Sequence, residues 1–175
     1  MAALVRPATQ ADSPGAAATV KEVFDEYGFV WEPGGYHADL FDLGGHYLDR
    51  GDGFWVAVLE SLVVGTAALQ VFDPLPGRPG EAIEFGGETR LGCSDCALQR
   101  LYVRPSARGQ GIGGALLRAC LADARGRGRT ALEIWSDKRF TDAHRLYASA
   151  GASVVADRLH DDPDNSHEWG MQLLL

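Results

Sequence analysis

Cysteine is scarce in this 175-residue sequence: Cys93, Cys96 and Cys120 are an odd set that cannot pair off into a disulfide framework. Cys93 and Cys96 form a CxxC. No second CxxC and no spaced histidine pair completes the four ligands of a structural zinc site. A redox CxxC opens a helix after a strand, whereas this one precedes an apolar run. The thiols read as incidental, and no metal is expected. Long apolar runs are lacking as well. The best, Leu62 to Leu69, is far short of the roughly 20 residues of a membrane span. Arg6, Asp12, Lys21 and Glu22 break up the N-terminal region before a signal-peptide core can form. The expectation is a soluble, cytoplasmic protein without a membrane partner.

Other chemistries are excluded by missing motifs. There is no GxSxG, no Gly-Lys-Ser/Thr after a glycine loop, and no HExxH among His37, His46, His144, His160 and His167. Asp162-x-Asp164-x-Ser166 starts like a calcium loop but lacks its glycine and closing glutamate, and reads as a turn.

The composition that is present, 46% hydrophobic over 175 residues, suits a single domain spanning 1–175. The net charge of −8 argues against a nucleic-acid partner. That charge is uneven. From Arg100 to Arg129 there are seven arginines and one acid, Asp123, so the window is +6 and the remainder −14. A basic island in an acidic chain suggests a small phosphate-bearing ligand.

Periodicity and turn residues predict a mixed α/β fold in the order β-α-α-β-β-β-α-β-α-β-β. Leu4 to Pro7 is a strand. Ser13-Pro14 starts a helix that carries Ala17, Val20, Phe24 and Tyr27 on one stripe and ends at Gly28. Tyr36 to Leu48 is a weaker helical pattern cut by Gly44-Gly45. Phe54 to Leu59 and Leu62 to Val71 form a hairpin across Glu60-Ser61. Residues 73–95, rich in glycine and proline, read as a long loop. Strands follow at Ala97 to Val103, Thr130 to Ser136, Ala152 to Arg158 and Glu168 to Leu175. Helices are expected from Gly111 to about Arg125 and from Phe140 to Ala150.

The strand ending Leu101-Tyr102-Val103 runs through Arg104-Pro105 into Arg108-Gly109-Gln110-Gly111-Ile112-Gly113-Gly114 and then a helix. A helix start leaves unpaired N–H groups and partial positive charge, and glycines let an anion approach them. Arg104 and Arg108 are expected to add full charges beside those donors. Gly109, Gly111 and Gly114 also satisfy GxGxxG, the dinucleotide fingerprint. In that motif, however, the strand runs straight into the first glycine. Here five residues intervene, and too little chain follows for a doubly wound half.

Arg108-x-x-Gly111-x-Gly113 resembles the R/Q-x-x-G-x-G/A signature of the GNAT superfamily of N-acetyltransferases, within the block LYVRPSARGQGIGGALL. Residues 140–151, with Ala143, Leu146, Tyr147 and Gly151, resemble the family's A-x-x-L-Y-x-x-x-G-F helix. Ala152 replaces the usual aromatic. The resemblance covers 97–151 specifically and implies a GNAT-like fold and acetyl-CoA as cosubstrate. It implies transfer of the acetyl group to a primary amine of a small molecule or peptide. Many family members dimerise, so a homodimer is among the states it implies.

The resemblance also implies roles. The pantetheine arm lies along Leu101, Tyr102 and Val103, where a bulge aims an N–H at the thioester carbonyl. The loop from Arg108 and Gly109 through Gln110, Gly111, Ile112 and Gly113 to Gly114 meets the pyrophosphate. Tyr147 is the implied acid. Ala97 stands where many members carry a catalytic glutamate, which leaves Glu133 in the next strand, or a base acting through water. The alternatives are a non-catalytic acyl-CoA sensor and, on the GxGxxG match, a nicotinamide dinucleotide oxidoreductase.

Overall fold

The structure, a computed structural model, describes residues 2–175. Its elements are β1 (Leu4–Pro7), α1 (Ser13–Tyr27), α2 (Leu43–His46), β2 (Gly53–Leu59), β3 (Leu62–Val71), β4 (Ala82–Phe85), β5 (Glu88–Leu91), β6 (Cys96–Val103), α3 (Ile112–Gly126), β7 (Ala131–Asp137), α4 (Thr141–Ser149), β8 (Ser153–Leu159) and β9 (His167–Leu174). Seven strands form one mixed sheet in the order β1-β2-β3-β6-β7-β9-β8, while β4 and β5 pair separately. Strands β6 and β7 pair in parallel, as a helical crossover between the two requires. None of the helices among the described residues is long and apolar enough to cross a membrane.

The chain divides into two compact units, one of residues 1–69 and 100–123 and the other of 70–99 and 124–175. In the first, α1 ends where expected, with Gly28 in the left-handed region (φ 70°) and its N–H on Phe24 and Asp25 carbonyls. Its buried apolar residues are Ala16, Ala17, Val20, Val23 and Phe24, with Ser13 and Thr19 buried beside them, whereas Tyr27, expected on the same stripe, is exposed. A methyl group on Gly15 would come within 2.7 Å of Val63, so glycine is what lets α1 approach β3 this closely. The Thr19 hydroxyl donates to the Val63 carbonyl at the same contact, at 2.8 Å. The β2–β3 hairpin turns at Glu60 and Ser61, both with positive φ, which matches the twist of the flanking strands.

The weak helix expected over 36–48 is broken in two. A 3-10 turn covers Ala38–Phe41, Asp42 leaves the helical region (φ −142°, ψ 72°), and α2 is a single turn capped by the Asp42 side chain, which accepts the Gly45 N–H. The break falls at Asp42 rather than at the glycines, because a carboxylate that caps a helix start interrupts whatever precedes it.

In the second unit, the long loop contains a hairpin that the glycine and proline content concealed. Strands β4 and β5 meet at Gly86-Gly87, both with positive φ. Strand residues fix this arm through polar side chains. Gln172 donates to Gly92 O and Ser94 Oγ, both at 2.9 Å, and accepts the Gly80 N–H at 2.7 Å. Arg158 donates to Thr89 O at 2.8 Å. Asp95, at the end of the arm, accepts the N–H groups of Thr130 and Ala131 at the start of β7. Buried polar groups need such partners, and each bond here ties the arm to a strand of the same unit.

Candidate functional site

The parallel register between β6 and β7 covers Cys96, Ala97 and Leu98 and goes no further. Two residues later Arg100 adopts φ 53°, uncommon for a side-chain-bearing residue and the mark of a bend in the strand. The Arg100 carbonyl accepts the Thr66 hydroxyl at 2.7 Å, and the Arg104 N–H returns to Val64 O at 2.9 Å. Between these two fixed points lie Leu101, Tyr102 and Val103, all half-buried.

A 3-10 turn, Pro105–Ala107, leads into the glycine loop. Buried Ala107, Ile112 and Leu116 fasten its two ends. Gly109 and Gly111 sit at φ 76° and 75°, left-handed values that a side chain resists, and open space surrounds the position of a Cβ at both. The first bond of α3 runs from Ala115 N–H to Gly111 O. The amides of Ile112, Gly113 and Gly114 therefore lie ahead of the helical ladder. Ile112 contributes its side chain to the core; what it offers an anion is its amide. Exposed glycines beside a helix start fit a pyrophosphate group.

The arginines behave differently from the expectation. Arg108 forms a two-bond pair with Glu26 on α1, at 2.8 and 2.6 Å, and its Nε donates to Val103 O. Arg104 pairs with Glu22 and also donates to Val63 O and Thr19 Oγ1. Arg100 pairs with Asp39. Acids distant in sequence thus neutralise the centre of the basic window, which charge counting along the chain cannot reveal. The amides are left as the chief anion-directed feature of this loop. Arg129 donates to Phe72 O, a structural bond in the other unit.

Asp39 accepts from Arg100 at 2.9 and 2.8 Å and from the Tyr47 hydroxyl, and Arg100 also donates to Tyr36 O and covers the Tyr36 ring. Sequence reasoning counted Arg100 only as part of a charged window. The available signal was a cation inside an otherwise apolar strand. Beside this pair, His37 is fully buried between Trp31, stacked at 4.1 Å, and Phe24, edge-on at 4.5 Å. Its Nδ1 accepts the Glu32 N–H, so the ring is neutral with the proton on Nε2. Burial and then the Arg100 charge hold its pKa down at about 4.

The two residues named as catalytic candidates both lie in the second unit. Glu133 is 1% exposed, and its carboxylate is fully engaged by Arg90 and by the Leu91 N–H at 2.9 Å. Tyr147 is buried on α4, and its carbonyl accepts the N–H groups of Ala150 and Ala152 that close the helix. The Cys96 thiol is buried and pushed up to about 12, first by desolvation and then by Asp95, which makes it inert.

Residues 17–152 match the family model described as the acetyltransferase (GNAT) family. The chain belongs to the GNAT acetyltransferase family. It is 36% identical over 127 residues to N-acetyltransferase 8 of Rattus norvegicus, covering 71% of this chain and 50% of that protein. The chain spans about half the length of the mammalian relatives it matches. Among solved structures, an acetyltransferase of the GNAT family from Staphylococcus aureus Mu50 superposes with a TM-score of 0.77, at 17% identity and 99% coverage of both chains. A GNAT superfamily phosphinothricin acetyltransferase from Sinorhizobium meliloti, determined in complex with acetyl-CoA, gives a TM-score of 0.71 at 18% identity. It covers all of this chain and 89% of that one. The likeness to GNAT folds thus runs over the whole chain and takes in the β4–β5 hairpin.

Proposed function

We propose that this GNAT protein transfers an acetyl group from acetyl-CoA to a primary amine by direct attack. The observation that carries the proposal is the run from the bent β6 to the exposed glycines at the start of α3. Pairing with β7 stops at Leu98, so the β6 edge from Leu101 to Val103 is where we place the pantetheine arm, and the helix-start amides up to Gly114 are where we place the pyrophosphate. Gly111, with its positive φ and free surroundings, is the point where a pyrophosphate reaches those donors.

Acetyl-CoA supplies an activated acetyl group, which passes to the amine nitrogen as the carbon–sulfur bond breaks. The amides after the bend at Arg100 donate to the charge that develops on the thioester oxygen. Tyr147 gives a proton to the departing sulfur. Arg108 holds Val103 and Glu26 together and so fixes the loop; it contributes to binding through that geometry. Glu133 would have to release Arg90 before it took a proton, so we assign it to holding β5 and assign the amine's proton to water. An acceptor with positive charge suits the net charge of −8.

The test is a panel of polyamines, aminoglycosides, lysine peptides and peptides with free N-termini, each mixed with acetyl-CoA while thiol release is followed. Release stimulated by at least one amine, with an acetylated product by mass spectrometry, is expected. Tight binding of acetyl-CoA with no turnover on any amine would point instead to a sensor of the cosubstrate.

A further inference from the structure

The ion pair between Arg100 and Asp39 is expensive. Their side chains are only 11% and 16% exposed. Withdrawing both charges from water is costly before their attraction is counted, so such a pair is weak evidence for stability. Its geometry is nevertheless fully specified. Both Asp39 oxygens accept from Arg100, the Tyr47 hydroxyl shares Asp39, and the Tyr36 carbonyl and ring take the rest of the guanidinium. The same Arg100 is the residue at which β6 bends, at φ 53°, and its carbonyl is separately held by Thr66. A glycine would adopt that φ without strain. A long cation stands there instead, with each end of the residue tied to a different element: the side chain to the 3-10 turn Ala38–Phe41, the carbonyl to β3.

We propose that Arg100 is a positioning residue for the acetyl transfer: clamped by Asp39 and Tyr36, it fixes the β6 bend and so aims the amides that follow it at the thioester carbonyl. This rests on the acetyl-CoA reading above. Removing the clamp leaves the glycine loop and its donors intact, because that loop is anchored by Ala107, Ile112 and Leu116. Binding and carbonyl polarisation should therefore separate. A residue that merely kept the unit folded would lose both together.

The experiment uses the full chain and acetyl-CoA labelled with 13C at the carbonyl. Calorimetry measures binding, and isotope-edited infrared difference spectra read the carbonyl stretch. In the wild type the bound carbonyl should absorb at lower frequency than free acetyl-CoA. Asp39→Asn and Arg100→Lys should keep acetyl-CoA affinity but lose most of that red shift. Thr66→Val, which frees only the Arg100 carbonyl, should lose part of it and covers the case in which the charge variants do not fold. An unchanged shift in folded, acetyl-CoA-binding variants overturns the positioning role alone. A wild type that binds acetyl-CoA without any shift also overturns it. A wild type that does not bind acetyl-CoA removes the proposed function and this inference with it.

Discussion

Arg90 near the end of the β4–β5 hairpin closes on Glu133 of β7, and the next residue along, Leu91, donates its N–H to the same carboxylate. This pairing makes Glu133, an acid set among apolar residues of β7, the anchor of an arm spanning residues 73–95. Breaking a buried pair from one side strands the other charge, at about 3 kcal/mol or more. Glu133→Ala should therefore lower Tm by roughly 10 °C for a chain of this size. Thermal unfolding followed by circular dichroism measures it. A stability loss close to zero would show that the arm does not depend on Glu133.

His37 gives the first unit a dependence on pH. Its folded pKa of about 4 lies below the ordinary imidazole value of 6.5. The unfolded chain thus binds the extra proton more readily, and stability rises with pH across that interval. The contribution is complete above about pH 6.5 and is lost as pH falls toward 4, on the order of 2 kcal/mol. Denaturant midpoints at pH 7 and pH 4.5 should differ less for His37→Phe than for the wild type. Equal differences would assign the pH dependence to other groups.

Asp12 acts in a lower window. Hydrogen bonds from Arg6, opposed by burial and helped by Thr9, hold its carboxyl at about 2. Its stabilisation is present above about pH 4 and disappears as pH drops through 2. Acid titration of Asp12→Asn should therefore be flatter than the wild type only below pH 4. A difference extending to neutral pH would contradict this origin.

How much of this was legible follows from the kind of force involved. The strand, glycine loop and helix from 96 to 126 could be read directly, since turn glycines and apolar periodicity are local signals. The helix end at Gly28 and the Glu60-Ser61 turn are local too. The β4–β5 hairpin was hidden because its partners, Glu133, Arg158 and Gln172, lie 42 to 92 residues away in sequence and act through buried and partly buried polar bonds. The same distance concealed the neutralisation of Arg100, Arg104 and Arg108 by Asp39, Glu22 and Glu26. A linear count of charge registers the arginines but not the partners the fold brings to them.

Tyr147→Phe isolates the proposed proton donor. A general acid typically contributes at least about a hundredfold, but a thiol with a pKa near 8.5 leaves readily without help. The variant should reduce kcat by about tenfold to a hundredfold on whichever amine the panel identifies, with the KM for acetyl-CoA unchanged. An undiminished kcat would remove Tyr147 from the chemistry.

The glycine loop is the centre of the account, and the amide spectrum of the 15N-labelled protein titrated with coenzyme A tests it most directly. The glycine signals of Gly109, Gly111, Gly113 and Gly114 should move together and saturate, and in Gly111→Ala the titration should weaken at least tenfold while the rest of the spectrum stays folded. Shifts confined to other parts of the chain, or a Gly111→Ala variant that binds as the wild type does, would contradict it.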